Sequence, residues 1–125
     1  MVAAPITSNK IDSSISPLFG KAKYFAFWDG DKLKVQENRF KSGSEVIEWL
    51  YLNGVKNIII KEIGSSPYVM AKEAGIKLFF AGDSRIEAID AFMKFDKNEL
   101  KELTKDEISN IIKHHEHKHH GFSYK

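Results

Sequence analysis

The chain contains no cysteine. Disulfides, thiolate nucleophiles and thiolate ligands to zinc or iron-sulfur clusters are thereby excluded, so any bound metal must use histidine, carboxylate, hydroxyl or sulfur that it brings with it. Long apolar runs are missing too. Nothing approaches the ~20 apolar residues of a membrane-spanning helix, and the start from Met1 to Lys10 is too briefly apolar for a secretory signal. The expectation is a soluble cytoplasmic protein with no membrane partner. Nor is there an excess of one charge, since 19 basic against 17 acidic side chains give a formal +2. That is far from the basic footprint of a nucleic-acid binder, and the charges are interspersed as on a solvated surface. No nucleic-acid partner is expected.

What is present reads as a single domain: 125 residues are enough to bury roughly two thirds of the surface that the unfolded chain exposes. Met1 to Ile6 predicts a first strand ending in a polar loop. Tyr24 to Trp28, then Asp29-Gly30 and the alternating Leu33 and Val35, predict a hairpin, because Asp-Gly tolerates the positive φ of tight turns. Ser42 with Glu45 forms a capping box ahead of Val46, Ile47, Leu50 and Tyr51, a helix that Asn53-Gly54 stops. Val55 to Ile63 holds the run Ile58, Ile59, Ile60 and predicts a buried strand. Ser66-Pro67 predicts the N-cap and first position of a second helix ending at Gly75. Ile76 to Ala81 predicts another strand, and Ser84 with Glu87 a cap for a third helix through Ile86, Ile89 and Phe92. Such alternation calls for parallel crossovers, hence an α/β fold with a mixed sheet of about five strands flanked by helices. Beyond Lys94 the chain turns highly charged. There Thr104 with Glu107 caps a fourth, charged C-terminal helix whose stripe of Ile108, Ile111 and Ile112 either packs on the domain or meets a partner.

The loop from Ile11 to Phe25 is where a site is expected. Ser13, Ser14 and Ser16 offer hydroxyls and backbone N–H groups, while Pro17 and Gly20 fix its bend. Strands ending at Ile6 and Ile63 both open into polar loops, and in open α/β sheets a crevice forms beyond the carboxyl ends of neighbouring strands. Gly64, Ser65 and Ser66 precede the helix carrying Pro67, so backbone N–H groups and the positive helix end favour an anion there.

Several short signals follow one another between Pro5 and Phe92. They are Ile11-Asp12, Phe19-Gly20-Lys21-Ala22 followed by Tyr24-Phe25, Gly54-Val55, Ile63-Gly64, Ala74-Gly75-Ile76-Lys77, and Glu87-Ala88-Ile89. In this order they resemble the dinitrogenase iron-molybdenum cofactor biosynthesis family. The resemblance implies a ribonuclease-H-like sheet and a small carrier or accessory protein that binds an anionic metal-sulfur cluster of iron, molybdenum or copper, or its precursor, with metal-cofactor assembly proteins as partners. It places that domain at residues 1–95, leaving residues 96–125 as the charged helix and a histidine-rich tail. The implied cofactor-binding residues are Ser14, Ser16, Phe19, Gly20, Lys21, Lys23, Gly64, Ser65 and Ser66, with Phe19 also read as a core anchor. Two positions depart from the family: Leu18 stands where it often has a histidine before Phe-Gly, and Lys61 and Glu62 stand where it tends to have two small residues. Leucine has no lone pair, so recognition by hydrogen bonds and charge rather than direct ligation is expected from this loop.

The tail carries a separate expectation. His114, His115, His117, His119 and His120 form a cluster in which, on a continuing helix, spacings of three and four put pairs on one face. A metal-buffering or delivery role through zinc, nickel or copper is therefore the alternative reading, and a protein-interaction module a third. Enzymatic function is not expected. The first strand carries no carboxylate to begin a metal-dependent nuclease site, Asp12, Asp29, Asp31 and Asp83 are explained as loop, turn or cap residues, and no catalytic triad, phosphate loop or dinucleotide fingerprint is present.

Overall fold

The computed structural model of the chain describes residues 1–120, with side chains described through residue 113. Five strands, β1 (Val2–Ile6), β2 (Tyr24–Trp28), β3 (Leu33–Glu37), β4 (Asn57–Ile60) and β5 (Lys77–Phe80), alternate with α1 (Gly43–Leu52), α2 (Ser65–Glu73), α3 (Ala88–Asp96) and α4 (Lys105–His120). They form one sheet in the order β3-β2-β1-β4-β5. β1, β2 and β3 pair antiparallel, while β1-β4 and β4-β5 are parallel, giving the mixed α/β sheet that the sequence predicts.

Period-two alternation sorts the strand residues between two cores. Ala3, Phe25, Phe27, Ile58, Ile60 and Leu78 face the layer of α1 and α2, while Val2, Ala4, Ile6, Ala26, Trp28 and Ile59 face α3. Ile58, Ile59 and Ile60 are all fully buried because β4 lies inside the sheet with both faces covered. Trp28 stacks on Phe92, 5.9 Å between ring centroids, and its indole N–H donates to Asp96 at 2.8 Å.

Local chemistry sets the boundaries. The Asp29 carboxylate accepts the N–H groups of Asp31 and Lys32 in the β2-β3 turn, bonds that hold its carboxyl below the usual range. Ser42 accepts from Glu45 N–H and donates to its carboxylate, the capping box expected for α1. Two helices begin elsewhere than predicted. The N-cap of α2 is Gly64, not Ser66, and Pro67 lies inside the first turn. The cap of α3 is Glu87, because the Ser13 carbonyl accepts Ala88 N–H and Ile15 N–H donates to the Ile86 carbonyl. A tertiary contact with the serine loop thus takes the place of the predicted Ser84 cap.

The segment after α3 closes the β5 edge: Phe80 N–H donates to the Lys101 carbonyl and Leu103 N–H to the Leu78 carbonyl. α4 then opens on a reciprocal capping box between Thr104 and Glu107. Its Ile108 is buried among α1/α2 core residues, with Ile111 and Ile112 packed beside it, so the isoleucine stripe docks on its own domain. Among the described residues no helix is long and apolar enough to cross a membrane.

Candidate functional site

Gly20, at the end of the serine loop, approaches the start of α1 so closely that a Cβ on it would lie 2.8 Å from both N and Cα of Gly43. A Cβ on Gly43 would in turn meet Cγ of Pro67, in α2, at 2.8 Å. Three chain segments are therefore drawn together over two positions without side chains. Beside this contact opens a cleft of about 330 Å³ lined by Leu18, Phe19, Gly20, Lys21, Lys41, Ser42, Gly43, Ile63, Gly64 and Pro67.

The starts of α1 and α2 both border this cleft. The helix dipole makes each a region of positive potential, and Gly64 has no side chain with which to cap α2. Lys21 and Lys41 add two ammonium groups, and among the described residues no carboxylate lines the cleft. The lining can thus hold an anion by charge and hydrogen bonds. It offers no imidazole, thiolate, thioether or carboxylate to a metal, and Leu18, 41% exposed, stands at its wall.

Of the sequence-predicted residues, the fold brings Phe19, Gly20, Lys21 and Gly64 into the cleft, while Ser65 and Ser66 form the adjoining first turn of α2. The side chain of Phe19 is buried and packs edge-on against Phe25, ring centroids 5.5 Å apart, so its principal contact is with the core. Ser14 and Ser16 do not line the cleft. Their hydroxyls are buried within the loop: Ser14 Oγ accepts Arg85 Nε–H at 2.7 Å and Ser16 Oγ accepts Leu18 N–H at 3.1 Å. They shape the loop instead of facing a ligand. Lys23 is exposed outside the lining, its carbonyl accepting from Asn38 N–H.

Lys61 and Glu62 face a second cleft, of about 400 Å³, with Pro17, Asp83 and Asn110. There Lys61 Nζ donates to the Ser84 carbonyl at 2.7 Å. Neither residue lines the first cleft. His114, His115, His117, His119 and His120 lie outside the residues whose side chains are described. Among the described residues no cluster of three or more His, Cys, Asp or Glu side chains is placed to hold a metal ion.

Sequence reasoning missed Lys41, Ser42 and Gly43. The signal was present in the capping box at Ser42, since the logic that marks the start of α2 as anion-attracting applies equally to α1. Asn38 was missed as well. Its side-chain amide donates to the carbonyls of Ala22 and Gly20, at 2.8 and 3.3 Å, and holds the cleft loop against the exit of β3.

The architecture recurs in solved structures. A NifB candidate from Thermotoga is 27% identical with a TM-score of 0.71, over 83% of this chain and 93% of that one. The apo orange protein of Desulfovibrio gigas is 16% identical with a TM-score of 0.73, over 82% and 92% of the two chains. A dinitrogenase candidate from Methanocaldococcus jannaschii is 24% identical with a TM-score of 0.56, over 82% and 93%. The last two likenesses concern the fold alone. No curated protein matches the sequence. The family model of the dinitrogenase iron-molybdenum cofactor matches residues 1–95, and with that span of β1 to α3 matched, the chain belongs to this family.

Proposed function

We propose that this protein is a small, non-enzymatic carrier or accessory protein of metal-cofactor assembly, whose cleft takes an anionic metal-sulfur cluster or its precursor as cargo. The observation that carries the reading is the convergence of two helix N-termini with Lys21 and Lys41 on one cleft whose described lining holds no carboxylate. Such a lining holds a preformed anion by outer contacts and leaves its metal coordination untouched. Family membership and the 27% identity to a NifB candidate support the cofactor context. The strand order β3-β2-β1-β4-β5 supports a ribonuclease-H-like label for the sheet. The partners of this reading are the assembly proteins that supply and receive the cargo in the cytoplasm.

The test is anaerobic incubation of the purified chain with tetrathiomolybdate or a preformed iron-sulfur cluster, then desalting and elemental analysis. Retention of metal with sulfide is expected in the full chain and in a chain ending at Ile112. Lys21→Glu combined with Lys41→Glu should abolish it. Failure of the full chain to retain any of these anions, or retention indifferent to the double reversal, overturns the reading. Zinc or nickel bound by the full chain but not by the shortened one would instead assign metal handling to the histidine tail.

A further inference from the structure

β3 is the open edge of the sheet. Asn38 N–H donates to the Lys23 carbonyl, and the register pairs Tyr24 with Glu37, so residues 23 and 38 are a hydrogen-bonded pair. By alternation, Gln36 and Lys34 also turn their backbone groups toward β2. Leu33, Val35 and Glu37 therefore direct their N–H and C=O groups away from the sheet. Leu33 and Val35 project toward the α3 face, where both stay half-buried. At the opposite edge residues 101–103 satisfy β5. Among the described residues no segment does this for β3, and such an edge is a template for another strand.

Charge around this edge is polarised along the strand. Asp29 and Asp31 outnumber Lys32 at its entry, Arg39 and Lys41 outnumber Glu37 at its exit, and all six are exposed. An antiparallel strand of the same sequence lays the net acidic entry against the net basic exit, with Lys32 opposite the neutral Asn38. A two-fold axis through Val35, perpendicular to the sheet, keeps the two copies' faces aligned. It matches each outward N–H with an outward C=O, Val35 with Val35 and Leu33 with Glu37, and sets Lys34 opposite Gln36. It also brings Asp31 opposite Arg39, whose present partner is Glu37 in an exposed pair at 3.4 Å.

We propose that β3 is a self-association edge through which a second copy of this chain continues the sheet. The joint is one five-residue strand per copy, well short of the ~800 Å² per partner of a standard interface. The dimer is accordingly reversible, with a Kd on the order of 10–100 µM. The exposed Lys34 does not block it, because across the two-fold it meets an amide.

Sedimentation equilibrium of the full chain over a concentration series tests this, alongside amide exchange. Expected are a monomer-dimer equilibrium and slowing exchange at Leu33, Val35 and Glu37 as concentration rises. Asp31→Arg and Arg39→Asp should each weaken association about tenfold, since two symmetric pairs become like-charged. An equimolar mixture of the two variants should recover wild-type affinity, because each changed residue then faces its complement. Neither residue lines the cargo cleft. A chain that stays monomeric at millimolar concentration, a dimer indifferent to both reversals, or a variant mixture that fails to recover overturns the proposal.

Discussion

Gly43 shows how a residue without a side chain can define a site. Gly43→Ala puts a methyl group against the ring of Pro67 at 2.8 Å, and a proline ring has no rotamer by which to withdraw. Overpacking of this kind costs about 1–3 kcal/mol, partly offset by the lower entropy of the unfolded chain. The urea midpoint of Gly43→Ala should therefore fall, with an unchanged m-value, and cargo retention should drop with it as α1 and α2 are pushed apart. Leu18 is the opposite case, a side chain whose chemistry the site does without. Leu18→His places an imidazole at the cleft wall, and only its neutral form carries the lone pair for a metal. Cargo retention measured anaerobically should exceed wild type at pH 7.5, above the ordinary histidine pKa of ~6.5.

At the scale of elements, α4 is fastened to a domain whose family match ends before it. Leu103 and Ile108 lie in the same core as α1 and α2, and residues 101–103 cover the β5 edge. Ending the chain at Asp96 should expose Leu78 and Phe80 and remove several kcal/mol of burial, on the order of 2–5 kcal/mol for a residue such as Ile108. Ending it at Lys113 should leave the thermal midpoint unchanged. The first turn of α4 is pH-sensitive: the Lys101 ammonium first, then the Thr104 N–H and hydroxyl, lower the Glu107 carboxyl from 4.5 to about 2. A depressed carboxyl pKa stabilises the fold above the unfolded value and loses that contribution as pH falls through the folded one. Protection of the Glu107 and Ile108 amides, taken relative to their intrinsic exchange rates, should accordingly fall between pH 4.5 and 2, and Glu107→Gln should flatten that dependence.

Across the whole molecule, what was legible in the sequence was whatever local chemistry decides. The Asp29-Gly30 turn, the Ser42 and Thr104 capping boxes and the fully buried isoleucines of β4 all follow from neighbours in the chain. What was not legible arises where distant segments meet. The Ser13 carbonyl displaced the Ser84 cap of α3, Arg85 claimed the Ser14 hydroxyl, and Lys41 reached the cleft only because Gly20 and Gly43 let two segments touch. The same dependence makes the cleft a reporter of global folding. Its walls come from residues 18–21, 41–43, 63–64 and 67, which meet only in the native state. On the proposed function, cargo should therefore bind the folded chain and not the unfolded one. At free cargo a hundredfold above Kd, linkage adds about 2.7 kcal/mol to stability, or roughly 10 °C in Tm for a domain of this size. Because the attraction is between an anion and two exposed lysines, the shift should shrink as salt rises from 0.05 to ~0.5 M, and it should vanish when Lys21 and Lys41 are both reversed to glutamate. A thermal scan with and without tetrathiomolybdate measures all three. A shift that persists in the double variant would place the anion away from the two lysines.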